Sequence, residues 1–460
     1  MIRRWTARRA GAGAYRFLLP LLLTFSSFVI AQQQASSPVV RRDDARKIIS
    51  KELQIALSMR EAMMLTRGVP DAYRFFLAPE PPVSSIRGDR APAENRTNAG
   101  SDRFPYDVLH RDYGDHTACL FYAPYDAVNT DLLYGFFLSV DDLHESPLYW
   151  IVSTAAVEKA AQGVRDALYV DGKRDDRGVI VANRQPRQAD SAALRGATNE
   201  LSRLLIPPQL APELLHTEHL IVAPSGVIGI VPFALLQPFG DDVMLIDRMS
   251  VSIAPSIFDI LVPPEAWRFD FRCPLVVGNP TLPNSWAPLP GAEREAKVVA
   301  EILQTDAILG SQATGMLVRK RAPDADLLYF ATHGVGGGLS GMIVFSGTDE
   351  EDRWDAQEIQ RLKLRAKLAV LSGCQTGLGE AHDGGTIGLA RAFQIAGVPR
   401  VVMSLWSVND EATAELMSLF LDRARSTFPS QALRLAMLDL RKRRPRPSEW
   451  APFTLFGLPR

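Results

Sequence analysis

The sequence predicts an α/β fold with a mostly parallel sheet and helices on both faces. From Leu220 onward, short apolar runs of strand length alternate with stretches of helical length. Strands of a parallel sheet are buried on both faces, so they are continuous apolar runs rather than alternating ones. Two of the runs, 326–331 and 368–372, lead directly into glycine-bearing turns, where such strands end.

The first 31 residues predict an export signal. A basic region at 3–9 precedes an apolar stretch at 17–30, and small side chains at 29–31 fit a cleavage site. The apolar stretch is shorter than the roughly twenty residues that span a bilayer. We therefore expect a bacterial type of protein that is exported to the periplasm or secreted. Membrane anchorage is the alternative if the signal stays uncut.

Residues 32–116 are expected to form a short helix, at 43–66, and a linker rich in Pro, Arg, Asn and Gly, at 79–102. An N-terminal α/β lobe is expected to follow the linker. The N-terminal lobe is predicted to hold strands at 118–122, 133–140 and 148–152 and a helix at 157–168.

The rest of the chain supplies the larger part of the predicted sheet. Its strands are predicted at 220–223, 275–278, 326–331, 368–372 and 401–405, and its helices at 292–303, 387–396, 411–424 and 431–441. Asn409 is a predicted N-cap, because acidic residues follow it in the first turn of a helix.

Charge and cysteine content narrow the class of protein. The chain carries 51 basic and 52 acidic residues, so no nucleic-acid partner is indicated. A basic run at 441–446 is interpreted as a solvated helix end. The three cysteines are Cys119, Cys273 and Cys374. A disulfide between Cys119 and Cys273 and two separate buried thiols are both open from the sequence.

His333 and Cys374 are the candidate catalytic residues. Each follows the end of a predicted strand, and the carboxyl ends of parallel strands meet at one edge of a sheet. A thiol beside an imidazole is sufficient for nucleophilic acyl transfer. The backbone N–H groups of Gly334 and Cys374 are the expected oxyanion donors.

Other chemistries fit less well. The run Gly336–Gly341 matches the dinucleotide fingerprint, but residues 342–345 predict a strand where a helix is needed. A metal site of His333, Cys374 and His382 has no closely spaced ligand pair to anchor it. No G-x-S-x-G elbow occurs, which disfavours a serine hydrolase. No cofactor is expected. Each candidate alone is also explained as an inert core thiol or a structural histidine.

Several motifs in a fixed order resemble the CHAT domain family, a caspase-like group related to separases in the clan of caspases and gingipains. They are Leu220-Ile-Val-Ala-Pro-Ser-Gly226, Pro288-Leu-Pro-Gly-Ala-Glu-Arg-Glu295, Phe330-Ala-Thr-His-Gly334, Val370-Leu-Ser-Gly-Cys-Gln-Thr-Gly-Leu-Gly379, Ser404-Leu-Trp-Ser-Val-Asn-Asp410 and Trp450-Ala-Pro-Phe-Thr-Leu-Phe-Gly457.

The resemblance implies one CHAT domain at 117–460, with a caspase-like, mostly parallel sheet flanked by helices. It divides this domain into an N-terminal α/β (pseudo-caspase) lobe, 117–265, and a catalytic lobe, 266–460. It implies a cysteine endopeptidase with a His333–Cys374 dyad, a protein or peptide substrate, and activation by a protein partner or by processing. A catalytically silent interaction module is the alternative. Gly373 replaces a frequent alanine and Gln375 a common glutamate. The segment 382–387 also differs from the sequence that is usual in the family at this place.

Overall fold

The computed structural model describes 113–114, 116–124, 132–139, 148–168, 173–174, 180–181, 191–240, 242–254, 266–282, 286, 289–335, 341–347, 352–373, 380–382, 385–406 and 410–458. All of these residues belong to one unit of the chain, Arg41–Arg460. The predicted export signal, the helix at 43–66, the linker and the N-cap Asn409 lie outside the described residues. Domain boundaries stay predictions.

An eleven-stranded sheet runs through the described part of the chain. In sheet order its strands are β3 (Leu148–Ser153), β2 (Leu132–Ser139), β1 (Thr117–Pro124), β6 (His219–Ala223), β7 (Ser250–Ile253), β18 (Phe453–Gly457), β17 (Arg400–Ser404), β14 (Leu368–Leu371), β10 (Leu327–Ala331), β8 (Pro274–Pro280) and β9 (Ala307–Gly310).

The sheet is mostly parallel, as predicted, with antiparallel pairs at β3–β2, at β2–β1 and at one internal seam. β1, β6, β7 and β18 are parallel to one another, and so are β17, β14, β10, β8 and β9. The two sets meet where β17 pairs with β18 in antiparallel orientation. The carboxyl ends of β8, β10, β14 and β17 therefore lie at one edge of the sheet.

Smaller sheets and helices complete the described architecture. The remaining strands are β4 (Lys173–Arg174), β5 (Ile180–Val181), β11 (Gly334–Val335), β12 (Met342–Val344), β13 (Arg353–Asp355), β15 (Glu380–His382) and β16 (Gly385–Ile387). The α-helices are α1 (Thr154–Leu168), α2 (Ser191–Leu205), α3 (Leu245–Arg248), α4 (Pro290–Ile302), α5 (Gly315–Arg321), α6 (Ala356–Ile359), α7 (Leu389–Ile395), α8 (Asp410–Ala424), α9 (Pro429–Arg443) and α10 (Pro447–Trp450). Short 3₁₀ helices cover Pro208–Leu210, Glu213–His216, Gly226–Ile230, Phe233–Leu235 and Ala322–Asp324.

Helices cover both faces of the sheet around β10. Neighbouring residues of a strand point to opposite faces. Tyr329 of β10 contacts α4 through Glu295, whereas Phe330 packs against Phe393 of α7 on the other face. Every residue of β10, β14 and β17 is buried. That burial accounts for the continuous apolar runs from which these strands were predicted.

Close approach of α4 to the sheet depends on Gly278 in β8. A Cβ atom at Gly278 would lie 2.4 Å from the Cβ of Ala296 and 2.9 Å from the carbonyl oxygen of Ala292. Glycine therefore lets the helix pack closely on the strand. Pro290 starts the helix at a position where its missing N–H costs nothing.

The N-terminal lobe is held together by aromatic side chains of its antiparallel strands. Tyr122 of β1 donates a hydrogen bond of 2.8 Å to the carbonyl oxygen of Leu205, and Trp150 of β3 donates one of 3.2 Å to Leu204. Both acceptors lie in the last turn of α2. These bonds satisfy carbonyl groups that the helix itself leaves without a partner.

Cys119 and Cys273 are both free thiols, which resolves the question left open by the sequence. Cys119 is buried in β1, and Cys273 is exposed just before β8. Seven strand-to-strand steps separate β1 from β8, or about 34 Å at the usual spacing. A disulfide requires Cα atoms within about 7 Å, so this pair is too far apart. Burial raises the pKa of the Cys119 thiol, which keeps it protonated.

The basic run near the C-terminus is engaged in ion pairs. Arg441 pairs with Asp247 at 2.5 Å, and Arg444 pairs with Glu415 at 3.0 Å and with Glu449 at 3.3 Å. Acidic partners thus neutralise much of the positive charge of α9, as on an ordinary solvated helix surface. Among the described residues, no helix combines the length and hydrophobicity needed to cross a membrane.

Candidate active site

Four neighbouring strands bring the candidate catalytic segments to one edge of the sheet. In the register of β10 and β14, Phe330 pairs with Leu371. His333 and Cys374 each follow three residues after one member of that pair. β8 and β17 flank the two strands on either side, so their ends border the same region. Cys374 and the following residues to 379 lie outside the described residues.

The backbone around His333 is fixed by β12. The amide of Val344 donates a hydrogen bond of 3.0 Å to the carbonyl oxygen of His333. The buried hydroxyl of Thr332 donates one of 2.7 Å to the carbonyl oxygen of Val344. Gly334 begins β11 and pairs with Ile343. His333 therefore sits where the main sheet passes into a three-stranded sheet, and its backbone is held on both sides.

The imidazole of His333 contacts the indole of Trp286. Their ring centroids are 5.0 Å apart, and the ring planes meet at 47°. This separation lies within the range of attractive aromatic pairs. Both rings are partly buried. Trp286 thus supplies one wall beside the candidate catalytic histidine.

The backbone leading to Cys374 is fixed by strands on both sides. The amide of Ser372 donates a hydrogen bond of 2.9 Å to the carbonyl oxygen of Phe330 in β10. From β17, the hydroxyl of Ser404 donates one of 2.5 Å to the carbonyl oxygen of Gly373. Ser404 is almost completely buried. The chain is therefore positioned up to the residue immediately before the candidate nucleophile.

A buried polar pair lies beneath the candidate site. The hydroxyl of Tyr329, four residues before His333, donates a hydrogen bond of 2.5 Å to the carboxylate of Glu295 in α4. Tyr329 is fully buried, and Glu295 is only 2% exposed. Burial and the neighbouring Glu295 carboxylate raise the pKa of Tyr329 well above its ordinary range. The phenol therefore stays protonated and remains a hydrogen-bond donor.

An aromatic cluster supports the opposite face of the same strand. Phe330 makes edge-to-face contacts with Phe345 and Trp354, at centroid distances of 5.7 and 5.9 Å. Phe393 of α7 contacts the ring of Trp354 at 5.7 Å. Edge-to-face pairs at these distances contribute beyond the area they bury. They fix the strand from which His333 emerges.

The structure bears on two other chemistries considered from the sequence, the dinucleotide fingerprint and the metal site. Residues 342–344 form strand β12, as expected, so the glycine run before them does not open a helix. Among the described residues, no group of three histidine, cysteine, aspartate or glutamate side chains is arranged to hold a metal ion. The backbone of His382 lies in β15.

Comparison with known proteins identifies the family. A model of the CHAT domain matches residues 195–458. That span exceeds half of the 460-residue chain and runs from α2 to the last strand of the sheet. The chain belongs to the CHAT domain family.

A curated protein is similar in sequence to part of this chain. Tetratricopeptide repeat protein 28 of Mus musculus is 26% identical over 334 residues. The match covers 59% of this chain but only 14% of the mouse protein. The chain therefore spans a small part of that relative's length.

The structure of separase shows the fold. Separase in the Saccharomyces cerevisiae separase–securin complex superimposes with a TM-score of 0.51 at 10% identity, over 78% of this chain and 31% of the other. The Arg-specific cysteine proteinase gingipain R gives a TM-score of 0.39 at 10% identity, over 58% of this chain and 68% of the other. The CHAT domain has a caspase-like fold, with a mostly parallel sheet flanked by helices.

Three residues at this edge were not singled out from the sequence. Trp286 lies far from His333 along the chain, and no spacing rule connects the two. Thr332 is adjacent to His333 but looks like part of an apolar strand. Ser404 was noted only as the first residue of a family motif. Its position at the end of a predicted strand is the one signal that linked it to the site.

Proposed function

We propose that this CHAT domain is a cysteine endopeptidase with a His333–Cys374 dyad. The pairing of Phe330 with Leu371 in adjacent parallel strands supports this most directly. Because of this pairing, the segments that lead to His333 and Cys374 leave the sheet at the same level and in the same direction. Because a nucleophile and its base must come within hydrogen-bond reach, this register is what the dyad needs.

In the proposed reaction, His333 takes the proton of the Cys374 thiol. The resulting thiolate attacks the scissile carbonyl carbon and forms a C–S bond. The backbone N–H groups of Gly334 and Cys374 stabilise the oxyanion. When the C–N bond breaks, His333 gives its proton to the leaving amine, and the acyl group stays on sulfur. Water, deprotonated by His333, then attacks the thioester carbonyl carbon. The C–S bond breaks, the acid leaves, and His333 returns the proton to the Cys374 thiolate.

We propose a protein or peptide substrate and control by a protein partner or by processing. The structure of separase with securin supports the partner, because it is a complex of a protein of this fold. The proposal includes no nucleic-acid partner and no cofactor.

A catalytically silent interaction module is the second candidate function. It is supported by the match to a protein named for its tetratricopeptide repeats rather than for a peptidase activity. The two functions differ in the reactivity of Cys374. An activated thiol alkylates faster near neutral pH than an ordinary thiol does.

A peptide-library digest tests the peptidase. The full chain, Cys374→Ala and His333→Ala are each incubated with a proteome-derived peptide library, and Cys273→Ala is the matched control because it removes an exposed thiol elsewhere. Cuts made by the full chain and by Cys273→Ala, but not by the other two variants, support the proposal. Cuts that persist in Cys374→Ala refute this nucleophile. If no variant cuts and Cys374 alkylates at an ordinary rate, the interaction module is supported instead.

We also propose export, directed by the first 31 residues. Expression in a bacterial host followed by fractionation tests it. Recovery from the periplasm or medium, with a new N-terminus near Gln32, supports a cleaved signal. Recovery of the uncut chain from the membrane supports an anchor, and recovery from the cytoplasm contradicts export.

A further inference from the structure

We propose that Trp286 is a positioning residue that holds the imidazole of His333 in its working orientation. This inference rests on the proposed function, because it assigns a partner to the histidine of the dyad. Its basis is the ring contact at 5.0 Å and 47°. A flat neighbour in contact with an imidazole restricts its rotation about the side-chain bonds.

The chain on both sides of Trp286 is fastened to the framework. Before it, the carbonyl oxygen of Thr281 accepts a hydrogen bond of 3.0 Å from the hydroxyl of Ser346. After it, the amide of Leu289 donates one of 3.1 Å to the side-chain oxygen of Asn279. The indole is therefore carried by a segment with two fixed ends, which suits a positioning role.

Asn279 contributes through an unusual backbone conformation. Its φ of 43° is left-handed, a region that asparagine tolerates better than most residues. Its side-chain amide also donates a hydrogen bond of 3.2 Å to Glu293 in the first turn of α4. Asn279 thus links the end of β8, the start of α4 and the segment that carries Trp286. β8 is the strand next to β10, which leads to His333.

The strength of an aromatic pair sets the expected effect. Such pairs favour one arrangement by about three- to tenfold, or about 0.6–1.4 kcal/mol. Removing the indole therefore lowers the ratio of correctly to wrongly oriented imidazoles by that factor, and the correctly oriented fraction by up to that factor. Only the chemical step depends on this orientation, so kcat falls while KM changes little.

Substitutions of Trp286 test the role kinetically. We expect Trp286→Leu to lower kcat by up to about three- to tenfold and Trp286→Phe to restore most of it, because a flat ring remains. Trp267→Leu is the matched control: Trp267 is also partly buried but packs against Phe271, away from the site. Equal losses in the two leucine variants, or no loss in Trp286→Leu, would overturn the proposal.

A fluorescence measurement separates this proposal from the peptidase itself, because it needs no substrate. An imidazole in contact with an indole quenches its fluorescence. We expect Trp286 emission, obtained in each background by subtracting the spectrum of the Trp286→Phe form, to be higher in His333→Gln than in the unmodified protein, because the ring contact is lost. Higher emission without peptidase activity refutes the proposed function alone, and unchanged emission refutes the role of Trp286.

Discussion

Ser404 donates its hydroxyl hydrogen to the carbonyl oxygen of Gly373 at 2.5 Å, linking the end of β17 to the residue before Cys374. The bond is buried and crosses between adjacent parallel strands. It extends the ladder of the sheet by one interaction beyond the last backbone pair, Leu371 with Met403. A side-chain hydrogen bond thereby joins the two strands beyond their last backbone pair, at the point where the chain leaves the sheet.

Ser404→Ala should weaken the site more than the fold. Loss of one buried hydrogen bond lowers the free energy of unfolding by about 0.5–1.5 kcal/mol. The Gly373 backbone then becomes less fixed, and we expect Cys374 to alkylate more slowly at neutral pH, on the order of tenfold. Alkylation followed by intact-mass measurement checks the rate, and urea unfolding checks the stability.

Ser418→Ala is the control for that experiment. Ser418 makes a similar hydroxyl-to-carbonyl bond of 2.8 Å to Ala414 within α8, away from the candidate site. It should leave the alkylation rate unchanged. An equal rate in Ser404→Ala and the unmodified protein would show that this bond does not position Cys374.

Thr332→Val should disturb His333 through its backbone. The change keeps the shape of the side chain but removes the 2.7 Å bond to Val344. It leaves a buried carbonyl group with less hydrogen bonding, so we expect a loss of about 1–3 kcal/mol in unfolding free energy. Thr332→Ser keeps the hydroxyl and should retain most of the peptidase activity. If the valine and serine variants are equally active, the hydroxyl is not needed.

Substitutions of Tyr329 and Glu295 should have strongly non-additive effects on the free energy of unfolding. Tyr329→Phe removes the donor from a carboxylate that is 2% exposed, which should cost about 1–3 kcal/mol. Glu295→Leu in addition removes the buried acid, so the double variant should be less destabilised than the two single losses together. Urea unfolding of all four proteins measures the coupling, and strictly additive losses would contradict it.

Asp439 should make the packing of α8 and α9 sensitive to acid. Hydrogen bonds from Lys442 and from Arg423 lower the pKa of Asp439 below its ordinary value. A lowered pKa in the folded protein adds stability above the ordinary pKa, and that stability disappears as the pH falls through the folded value. Asp439→Asn should therefore destabilise the protein at pH 7 and have a smaller effect near pH 3.

Urea unfolding at the two pH values checks the Asp439 prediction. Asp422→Asn is the control, because it lies exposed on α8 and makes the same change in net charge. A destabilisation by Asp439→Asn that is equal at both pH values would contradict the ion-pair explanation.

Much of the framework was predictable from sequence because burial on both faces gives strands a plain apolar signature. The strands predicted at 326–331, 368–372 and 401–405 are confirmed to within one residue at each end. The four helices predicted after Leu220 are confirmed, with ends shifted by up to two residues. The dyad stays a prediction, since Cys374 lies outside the described residues.

Strands with polar or very short sequences escaped prediction. β7 contains Ser250 and Ser252, both almost fully buried, so it lacks an apolar run. Ser250 is accommodated because its hydroxyl lies 2.6 Å from the imidazole of His219. β9 has only four residues at an edge of the sheet, and partial exposure weakens its pattern. These segments form strands because they pair with strands distant in sequence, and a local sequence pattern does not indicate such pairing.

The seam between β17 and β18 has a consequence for when the sheet is completed. Of the strands in the eleven-stranded sheet, β18 is made last but lies between β7 and β17, so it joins the two sets of parallel strands. During synthesis, these two sets can be joined through β18 only after 453–457 have left the ribosome. A nascent chain that has already exposed the segments around His333 and Cys374 therefore still lacks the strand at the centre of its sheet.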